Sequence, residues 1–304
     1  MATARTAVPP TRIDRVRGGI YGRPMSNATA ARYPADYHTH NRLCKHAEDK
    51  PAAYAEAGAQ QGVAAVAATD HCPTDERFGI EHRMELAEFP TYARWVRQAQ
   101  ETAPVPLLFG VEADYYRGCE RFLAPWLDQH PLDLVLGSVH FLDYWAARPE
   151  DRTLADHPDP SHIWQRYFLL IGELAGSGLY DVVAHLDLPK KFIPRLPEAA
   201  LREYALPALD RIAEAGMAIE INTSGLNHAC RELYPALPLL TWARERDIGL
   251  TFGSDAHSPR RVGADFDRAV AWARAAGYAE SVVFEQRRPR RAALSDLERG
   301  AVQG

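Results

Sequence analysis

The 304-residue sequence has only four cysteines, and no two of them form a CxxC pair. Four scattered thiols in a chain of this length argue against a disulfide framework and favour a reducing compartment. The longest apolar runs, such as 63–68, have the length of a strand and fall short of the roughly 18 residues that a membrane helix needs. We therefore expect a cytoplasmic protein with no membrane partner.

Lysine is also scarce, with 4 lysines and 31 arginines set against 40 acidic residues. The net charge of −5 gives no global attraction for nucleic acid, so we expect no nucleic-acid partner. An anionic substrate must then meet a local positive site. Hydrophobic residues make up 46% of the chain, enough for a sizeable core, and the length allows one α/β barrel of roughly 250 residues.

The first 32 residues differ in composition from the rest of the chain. They contain six arginines, a single acid (Asp14) and no periodic apolar face, and they lack the apolar core of a secretory signal. We predict a flexible N-terminal extension over 1–32 and one folded domain over 33–304. The same composition also fits a transit peptide or a true start at Met25.

From residue 33 onward, short apolar runs alternate with amphipathic segments. The predicted strands are 36–39, 63–69, 106–111, 132–138, 181–184, 218–221 and 250–252. The predicted helices are 51–61, 86–100, 120–129, 161–176, 197–215, 237–246 and 266–276. Seven strand–helix units in series predict a parallel sheet, and this number favours a barrel of the TIM type. A doubly wound open sheet is the alternative.

Imidazoles and carboxylates follow nearly every predicted strand. They are contained in the segments Asp36–His40, Thr69–His71, Gly110–Glu112, Ser138–His140, Ala184–Asp187, Glu220–Asn222 and Gly253–His257. In parallel barrels these strand ends meet at the rim that carries the active site. The pair His38 and His40 has the period of two that puts side chains on one face of a strand. Imidazole and carboxylate together suit zinc, iron or manganese.

These motifs, in this order, resemble the polymerase and histidinol phosphatase (PHP) superfamily. The matching runs are DYHTH (36–40), ATDH (68–71), GVEADY (110–115), GSVHF (137–141), AHLDLPKKF (184–192), EINTSG (220–225) and GSDAH (253–257). Three of them, GSVHF, HLDLPKKF and NTSG, are closer to the histidinol-phosphatase branch than to the polymerase-linked one. The resemblance implies a distorted (β/α)7 barrel in a single domain.

The resemblance also implies three divalent metal ions (zinc, iron or manganese) held by nine side chains. The first ion is assigned to His38, His40, Glu112 and Asp255, the second to Glu112 as a bridge with His140 and His185, and the third to His46, His71 and His257. Catalytic roles are expected for Glu112, Asp255 and His257. Asn222 is expected beside the site without binding metal. Cys44 and Cys72 both lie beside candidate histidines, so a thiolate ligand is an alternative, although an idle thiol is the commoner case.

The activity implied is hydrolysis of L-histidinol phosphate, a small phosphate monoester, in histidine biosynthesis. Metal ions lower the pKa of water and neutralise phosphate charge, so no nucleophilic serine or cysteine is needed. The sequence offers neither a GxSxG motif nor a GxxxxGK[ST] phosphate loop. Ser138 and Ser254 are interpreted as small packing residues.

Phosphate recognition requires local cations close to the ligand motifs. Arg117 and Lys191 are the first choices, and His228 stands where related phosphatases often carry a basic residue. Lys190 and Arg231 are further candidates. Two acids, Glu81 and Asp114, are candidates for the positive groups of the substrate.

Three other functions fit parts of the pattern. An amidohydrolase barrel also begins with His-x-His, but it places a carboxylated lysine on a middle strand, and no lysine lies between Lys50 and Lys190. A PHP nuclease or nucleotide phosphatase shares every metal ligand and differs only in its loops. A non-catalytic PHP module loses ligands, whereas all nine positions are filled here.

Overall fold

The computed structural model describes residues 31–75, 79–142 and 160–294. The predicted extension lies outside these residues apart from its last two positions, where the amide of Arg32 donates to the carbonyl of Gly62. The domain boundary therefore stays a prediction. In the part of the chain that is described, no helix combines the length and apolar character needed to cross a membrane.

Seven parallel strands form the central sheet, and they are hydrogen-bonded to one another in chain order. They are β1 (Asp36–Thr39), β2 (Val66–Ala68), β3 (Leu107–Asp114), β4 (Leu134–Ser138), β5 (Val182–Val183), β6 (Ala218–Asn222) and β7 (Gly249–Gly253). A bridge between Thr39 and Ala256 joins the two outer strands and nearly closes the barrel. The barrel prediction is confirmed, since a doubly wound sheet would reverse its strand order.

Helices connect successive strands and cover the outside of the barrel. They are α1 (Pro51–Gln61), α2 (Phe89–Thr102), α3 (Glu120–Gln129), α4 (Pro160–Ser177), α5 (Glu198–Glu214), α6 (Leu237–Glu245) and α7 (Phe266–Ala275). Proline at the first position begins α1, and Gly62 ends it with a φ of 76°, a left-handed conformation that glycine adopts without strain. The seven predicted helices are confirmed with small shifts at their ends.

Two of the predicted strand boundaries are wrong in a way that affects the site. Strand β3 continues to Asp114, three residues beyond the predicted end, so Glu112 lies within the strand and not after it. The extension arises because β4 pairs with β3 as far as Asp114, which supplies backbone partners that the polar sequence does not reveal. Strand β2 is shorter than predicted, and Val63 contributes only an isolated bridge to Tyr33.

An irregularity in β1 sets the direction of the first histidines. The chain advances three residues, from Asp36 to Thr39, while its partner β2 advances two. An extra residue of this kind bends a strand and re-aims its side chains. Tyr37 belongs to a buried apolar cluster, yet the next residue, His38, faces the polar end of the same barrel. The irregularity therefore adds a polar pair, His38 and His40, above an apolar floor.

The lower half of the barrel interior is filled by apolar side chains from alternate strand positions. This inner core consists of Ala35, Tyr37, Ala65, Ala67, Leu108, Leu134, Leu136, Val182, Ala184, Ala218, Val282 and Phe284. Residues with the opposite parity, such as Phe109 and Phe252, pack in the larger cluster that includes the helices. The period of two thus separates the inside of the barrel from its outer layer.

A C-terminal hairpin that the sequence did not predict completes the inner core. Strands β8 (Glu280–Glu285) and β9 (Arg288–Ala293) pair antiparallel, and Gln286 and Arg287 between them have φ values of 50° and 62°. Positive φ at both positions is typical of tight hairpin turns. The ring of Phe284 meets Tyr37 edge-on at 6.1 Å between centroids, and its amide donates to the Tyr37 hydroxyl.

Replacing Phe284 with alanine should lower the free energy of unfolding by about 3–5 kcal/mol, because the change opens a cavity at the floor of the barrel. Denaturant unfolding followed by circular dichroism measures the loss. Leu169→Ala on α4 serves as the control, since Leu169 is 49% exposed. Equal effects of the two variants would contradict the role given to the hairpin.

Candidate metal centre

Glu112 occupies the centre of the polar end of the barrel. It is 1% exposed, and nitrogen atoms of five imidazoles surround its carboxylate. Oε2 of Glu112 lies 3.4 Å from His38 Nε2, 3.6 Å from His40 Nε2 and 3.0 Å from His71 Nδ1. Oε1 lies 3.6 Å from His140 Nε2 and 3.1 Å from His185 Nε2. One carboxylate thus faces residues from β1 and from the ends of β2, β4 and β5.

Asp255 brings a second carboxylate to the same two histidines. Its Oδ1 lies 3.1 Å from His40 Nε2 and 3.7 Å from His38 Nε2. The other oxygen, Oδ2, accepts a hydrogen bond from the Ser224 hydroxyl at 3.1 Å. Asn222 lies beside it, with Nδ2 3.5 Å from the same oxygen. Asn222 therefore supports a carboxylate, in agreement with the supporting role expected for it.

A third group of donors lies at the open end, where His46 is exposed to solvent. The Nε2 atoms of His46 and His257 are 2.9 Å apart. Both Nδ1 atoms face backbone carbonyls, that of Cys44 at 2.8 Å and that of Asp255 at 2.9 Å. If each neutral ring donates Nδ1–H to its carbonyl, each presents a lone pair at Nε2, and two facing lone pairs suit a shared cation.

Buried carboxylates behind the rings fix the inner histidines in the same way. Glu220 Oε1 lies 2.8 Å from His38 Nδ1, Asp70 Oδ1 lies 3.4 Å from His40 Nδ1, and Asp114 Oδ1 lies 2.6 Å from His140 Nδ1. A carboxylate on one ring nitrogen holds the proton there and leaves the other nitrogen free for a metal. Sequence reasoning missed all three supporting roles.

Glu220 and Asp114 are each tied to further groups. Glu220 also accepts from the amide of His185 at 3.0 Å, so it fixes histidines on both sides of the barrel. Asp114 receives a 2.5 Å hydrogen bond from buried Arg83 on its second oxygen. Both oxygens of Asp114 are therefore committed, and the expectation that it contacts substrate has no support. The signal for Glu220 was its spacing of two from Asn222 on β6.

The unpaired atoms of this cluster test whether metal ions fit. Among the buried side-chain atoms of the described residues that lack a hydrogen-bond partner, four belong to the proposed metal ligands: His38 Nε2, His40 Nε2, Glu112 Oε2 and His185 Nδ1. Unpartnered buried polar atoms are costly, and three of these, His38 Nε2, His40 Nε2 and Glu112 Oε2, face one another. The triads His38–His40–Asp255, His38–Glu112–His185 and His40–His71–His257 each have ligand atoms within 4.8 Å of one another. The arrangement fits divalent cations.

The pKa values of the rings reflect the same crowding. Burial opposes protonation of His38, but the charges of Glu220 and Glu112 outweigh it and raise the pKa of His38 above its ordinary value. The pKa of His40 is raised as well, because the hydrogen bonds with Asp255 and Asp70 outweigh the effect of burial. Burial lowers the pKa of His71 and of His257 to about 3 each, so both rings are neutral at neutral pH. Neutral rings are the form that binds metal.

The candidate phosphate-binding cations fall into two groups. Burial and the charge of Lys191 lower the pKa of His228, whereas the charge of Asp255 acts in the opposite direction. Arg117 is instead bound to Glu173 of α4, with Nε 2.8 Å from Oε2. Lys190 is 4% exposed and contacts Asp187 and Glu232, each at 2.8 Å. Lys190 is thus committed to an internal network.

Both serines interpreted as packing residues make hydrogen bonds with carboxylates. Ser138 donates to Glu112, and Ser254 donates to Asp36 through its hydroxyl and its amide. Ser138 thereby orients the central carboxylate, a role that spacing along the chain could not reveal. Neither contact is that of a nucleophile with a neighbouring base, which agrees with the absence of nucleophile motifs.

The change Glu220→Gln should weaken metal binding roughly 10- to 100-fold, because partners behind metal-binding histidines typically contribute that much. The amide keeps the shape of the side chain and removes the charge that fixes His38. Zinc titration against a chelator measures the effect. Glu245→Gln, an exposed position on α6, is the matched control. Wild-type affinity in Glu220→Gln would show that the contact does not support the metal site.

Metal binding should release protons and should weaken as the pH falls. The raised pKa values of His38 and His40 mean that the metal-free rings hold protons at neutral pH, which a metal must displace. Calorimetric titration with zinc in two buffers of different ionisation enthalpy counts the protons. An affinity that stays constant between mildly acidic and mildly alkaline pH would contradict this assignment.

Comparison with known proteins gives a consistent result. Residues 36–224 match the PHP domain family model. A relative from Deinococcus radiodurans named "Probable histidinol-phosphatase" is 37% identical over 256 residues, which cover 83% of this chain and 97% of the relative. The histidinol-phosphatase of Bacillus subtilis is 27% identical over 76% of this chain and 96% of its own length.

A solved structure agrees with the fold. The histidinol phosphate phosphatase of Lactococcus lactis, crystallised with zinc, L-histidinol and phosphate, superimposes with a TM-score of 0.71. Its sequence identity is 19%, and the alignment covers 86% of this chain and 99% of the other. Together with the family model and the relative at 37% identity, these findings confirm the resemblance deduced from the motifs: the chain belongs to the PHP domain family.

Proposed function

We propose that the protein is a metal-dependent histidinol-phosphatase, which hydrolyses L-histidinol phosphate to L-histidinol and phosphate. The observation that carries the proposal is the cluster of unpartnered imidazole and carboxylate atoms around Glu112, which requires cations and opens at the rim of the barrel. The names and full-length coverage of the curated relatives support the substrate. All four cysteines are free thiols, which supports a role in the reducing cytoplasm.

We assign three divalent ions to the nine ligands. The triad containing His38, His40 and Asp255 supports the first position, and the triad containing His38, Glu112 and His185 supports a second position beside it. Glu112 is suited to bridge the two, since its oxygens face different sets of rings. The facing Nε2 atoms of His46 and His257 support the third position. Zinc is our first choice because imidazole suits it well, with iron or manganese as alternatives.

Bound divalent ions would supply Lewis acidity toward the phosphoryl oxygens and an acidified water as nucleophile. The chain itself has two further tasks. Glu220, Asp70 and Asp114 hold the ligand rings in one tautomer, so the site does not reorganise during the reaction. The buried environment of Glu112 excludes bulk water and strengthens each electrostatic contact.

Lys191 and His228 are proposed to hold the outer phosphate oxygens. The charges of Lys191 and Asp255 both act on the pKa of His228, which supports a shared position for the two cations at the edge of the metal cluster. A lysine ammonium offers three donors that suit a phosphate group. Arg117 stays a weaker proposal, because its guanidinium is bound to Glu173. The ion pair between Arg117 and Glu173 would have to break before Arg117 could contact a substrate.

The test of the proposed function is phosphate release from L-histidinol phosphate, compared with nucleotides, sugar phosphates and DNA ends. We expect the highest kcat/KM for L-histidinol phosphate, since any phosphomonoester reaches the metals but only one fills the pocket. Chelation should abolish the activity and zinc or manganese should restore it. A clearly higher kcat/KM for a nucleotide would favour the nuclease alternative, and full activity without metal would exclude both.

The change Lys191→Ala should raise KM for the phosphate ester roughly tenfold or more. The reason is that a hydrogen bond to a charged group typically contributes about 1.5–3 kcal/mol. Metal content should stay at the wild-type level because Lys191 is proposed to contact substrate only. Steady-state kinetics and metal analysis measure the two effects, and Lys50→Ala on the outer surface is the control. An unchanged KM would remove Lys191 from the site.

A further inference from the structure

Cys44 lies among the donor atoms at the open end of the metal centre. The side chain is fully buried, at the end of a short 3₁₀ helix, Arg42–Cys44. Its Sγ lies within 4.8 Å of ligand nitrogens of both His46 and His257. The same sulfur forms a second such group with His40 and Asp70. A soft donor is thus placed within a set of imidazoles.

The backbone around Cys44 explains why the thiol and His46 face the same point. Lys45 between them has a φ of 73°, a left-handed conformation that reverses the chain over one residue. The carbonyl of Cys44 also accepts from His46 Nδ1, which leaves the Nε2 lone pair of that ring directed at His257. Cys44 therefore orients the imidazole of His46 through its carbonyl and places its own sulfur beside that ring.

The three proposed metal positions differ in the number of anionic ligands, and this difference favours the thiol as a ligand of the third. The two inner positions include the carboxylates of Glu112 and Asp255, whereas the proposed third position has only the neutral rings of His46, His71 and His257. A dication favours an anionic ligand in its coordination sphere, and tetrahedral zinc sites commonly combine thiolate with imidazole. The same place adjoins the triad of His40, His71 and His257, whose ligand atoms lie within 4.8 Å of one another.

We propose that Cys44 is a thiolate ligand of the third metal ion and that this sulfur makes the position selective for zinc. Thiolate favours zinc over harder ions such as manganese or magnesium. On binding, a sulfur–zinc bond forms as the S–H bond breaks, and the proton passes to solvent without oxidation or reduction. The proposal rests on the three-ion centre proposed above.

X-ray absorption at the zinc edge tests the proposal on the full-length, zinc-loaded protein. We expect a sulfur scatterer at about 2.3 Å in addition to nitrogen and oxygen at about 2.0–2.2 Å. The sulfur signal should vanish in Cys44→Ser and persist in Cys230→Ser. Cys230 is a suitable control because its thiol is directed at the carbonyl of Gly225. Zinc titration should show one equivalent bound roughly tenfold or more weakly in Cys44→Ser.

The wild-type spectrum decides the question even if Cys44→Ser does not fold. Three bound zinc equivalents with only nitrogen and oxygen scatterers would overturn the thiolate and leave the metal centre intact. Cys44 would then only contact Asp70 and His40 as a buried thiol. A wild-type protein that binds manganese or iron but no zinc would overturn this inference alone, whereas one that binds no divalent ion would overturn the proposed function as well. Persistence of the sulfur signal in Cys44→Ser would also exclude Cys44.

Discussion

The negative charge of Glu112, buried where the strands of the barrel end, is the constraint on which the site depends. A carboxylate with 1% exposure is stable only if positive charge surrounds it, and five imidazoles face its two oxygens. Those rings are placed in turn by carboxylates behind them. The crowding leaves no room for a side chain at Gly253, where a Cβ atom would lie 1.8 Å from Glu220 Oε1 and 2.6 Å from His38 Cβ.

The same strands that carry this charge also carry an apolar floor, and the two halves support each other. Leu136 and Ser138 on β4 have the same parity, so one fills the inner core and the other donates to Glu112. On β6, Ala218 likewise belongs to the inner core, whereas Glu220, two residues later, contacts His38. A rigid floor is what keeps the carboxylates within reach of the rings, because a shift of one residue would turn each side chain to the opposite face.

The sequence was sufficient to predict the seven strand–helix units, because apolar period and glycine punctuation are local signals. The nine ligand positions followed from the resemblance of the motifs and stay a prediction, although the structure gathers these side chains at one end of the barrel. The sequence did not identify Glu220 as the partner of His38, because the two residues lie 182 positions apart and meet only when β6 and β1 share a barrel. The bond of Arg117 to Glu173 and the hairpin over 280–293 depend in the same way on distant packing. The arginine-rich sequence of β9 lacks the apolar pattern from which a strand is predicted.

Burial across the centre indicates the direction from which a substrate approaches. His38, His40 and Glu112 are almost inaccessible, with exposures of 0–1%, whereas His46 at the third donor group is open to solvent. Asp255 is partly exposed as well, and its charge raises the pKa of His228 against the effect of burial. Under the proposed function, a phosphate monoester approaches over the His46 side with its phosphoryl group first, and its organic portion is left at the outer rim. Discrimination between phosphate esters then belongs to the loops around that rim, while the central carboxylate of the proposed metal site, Glu112, lies below it and is almost inaccessible.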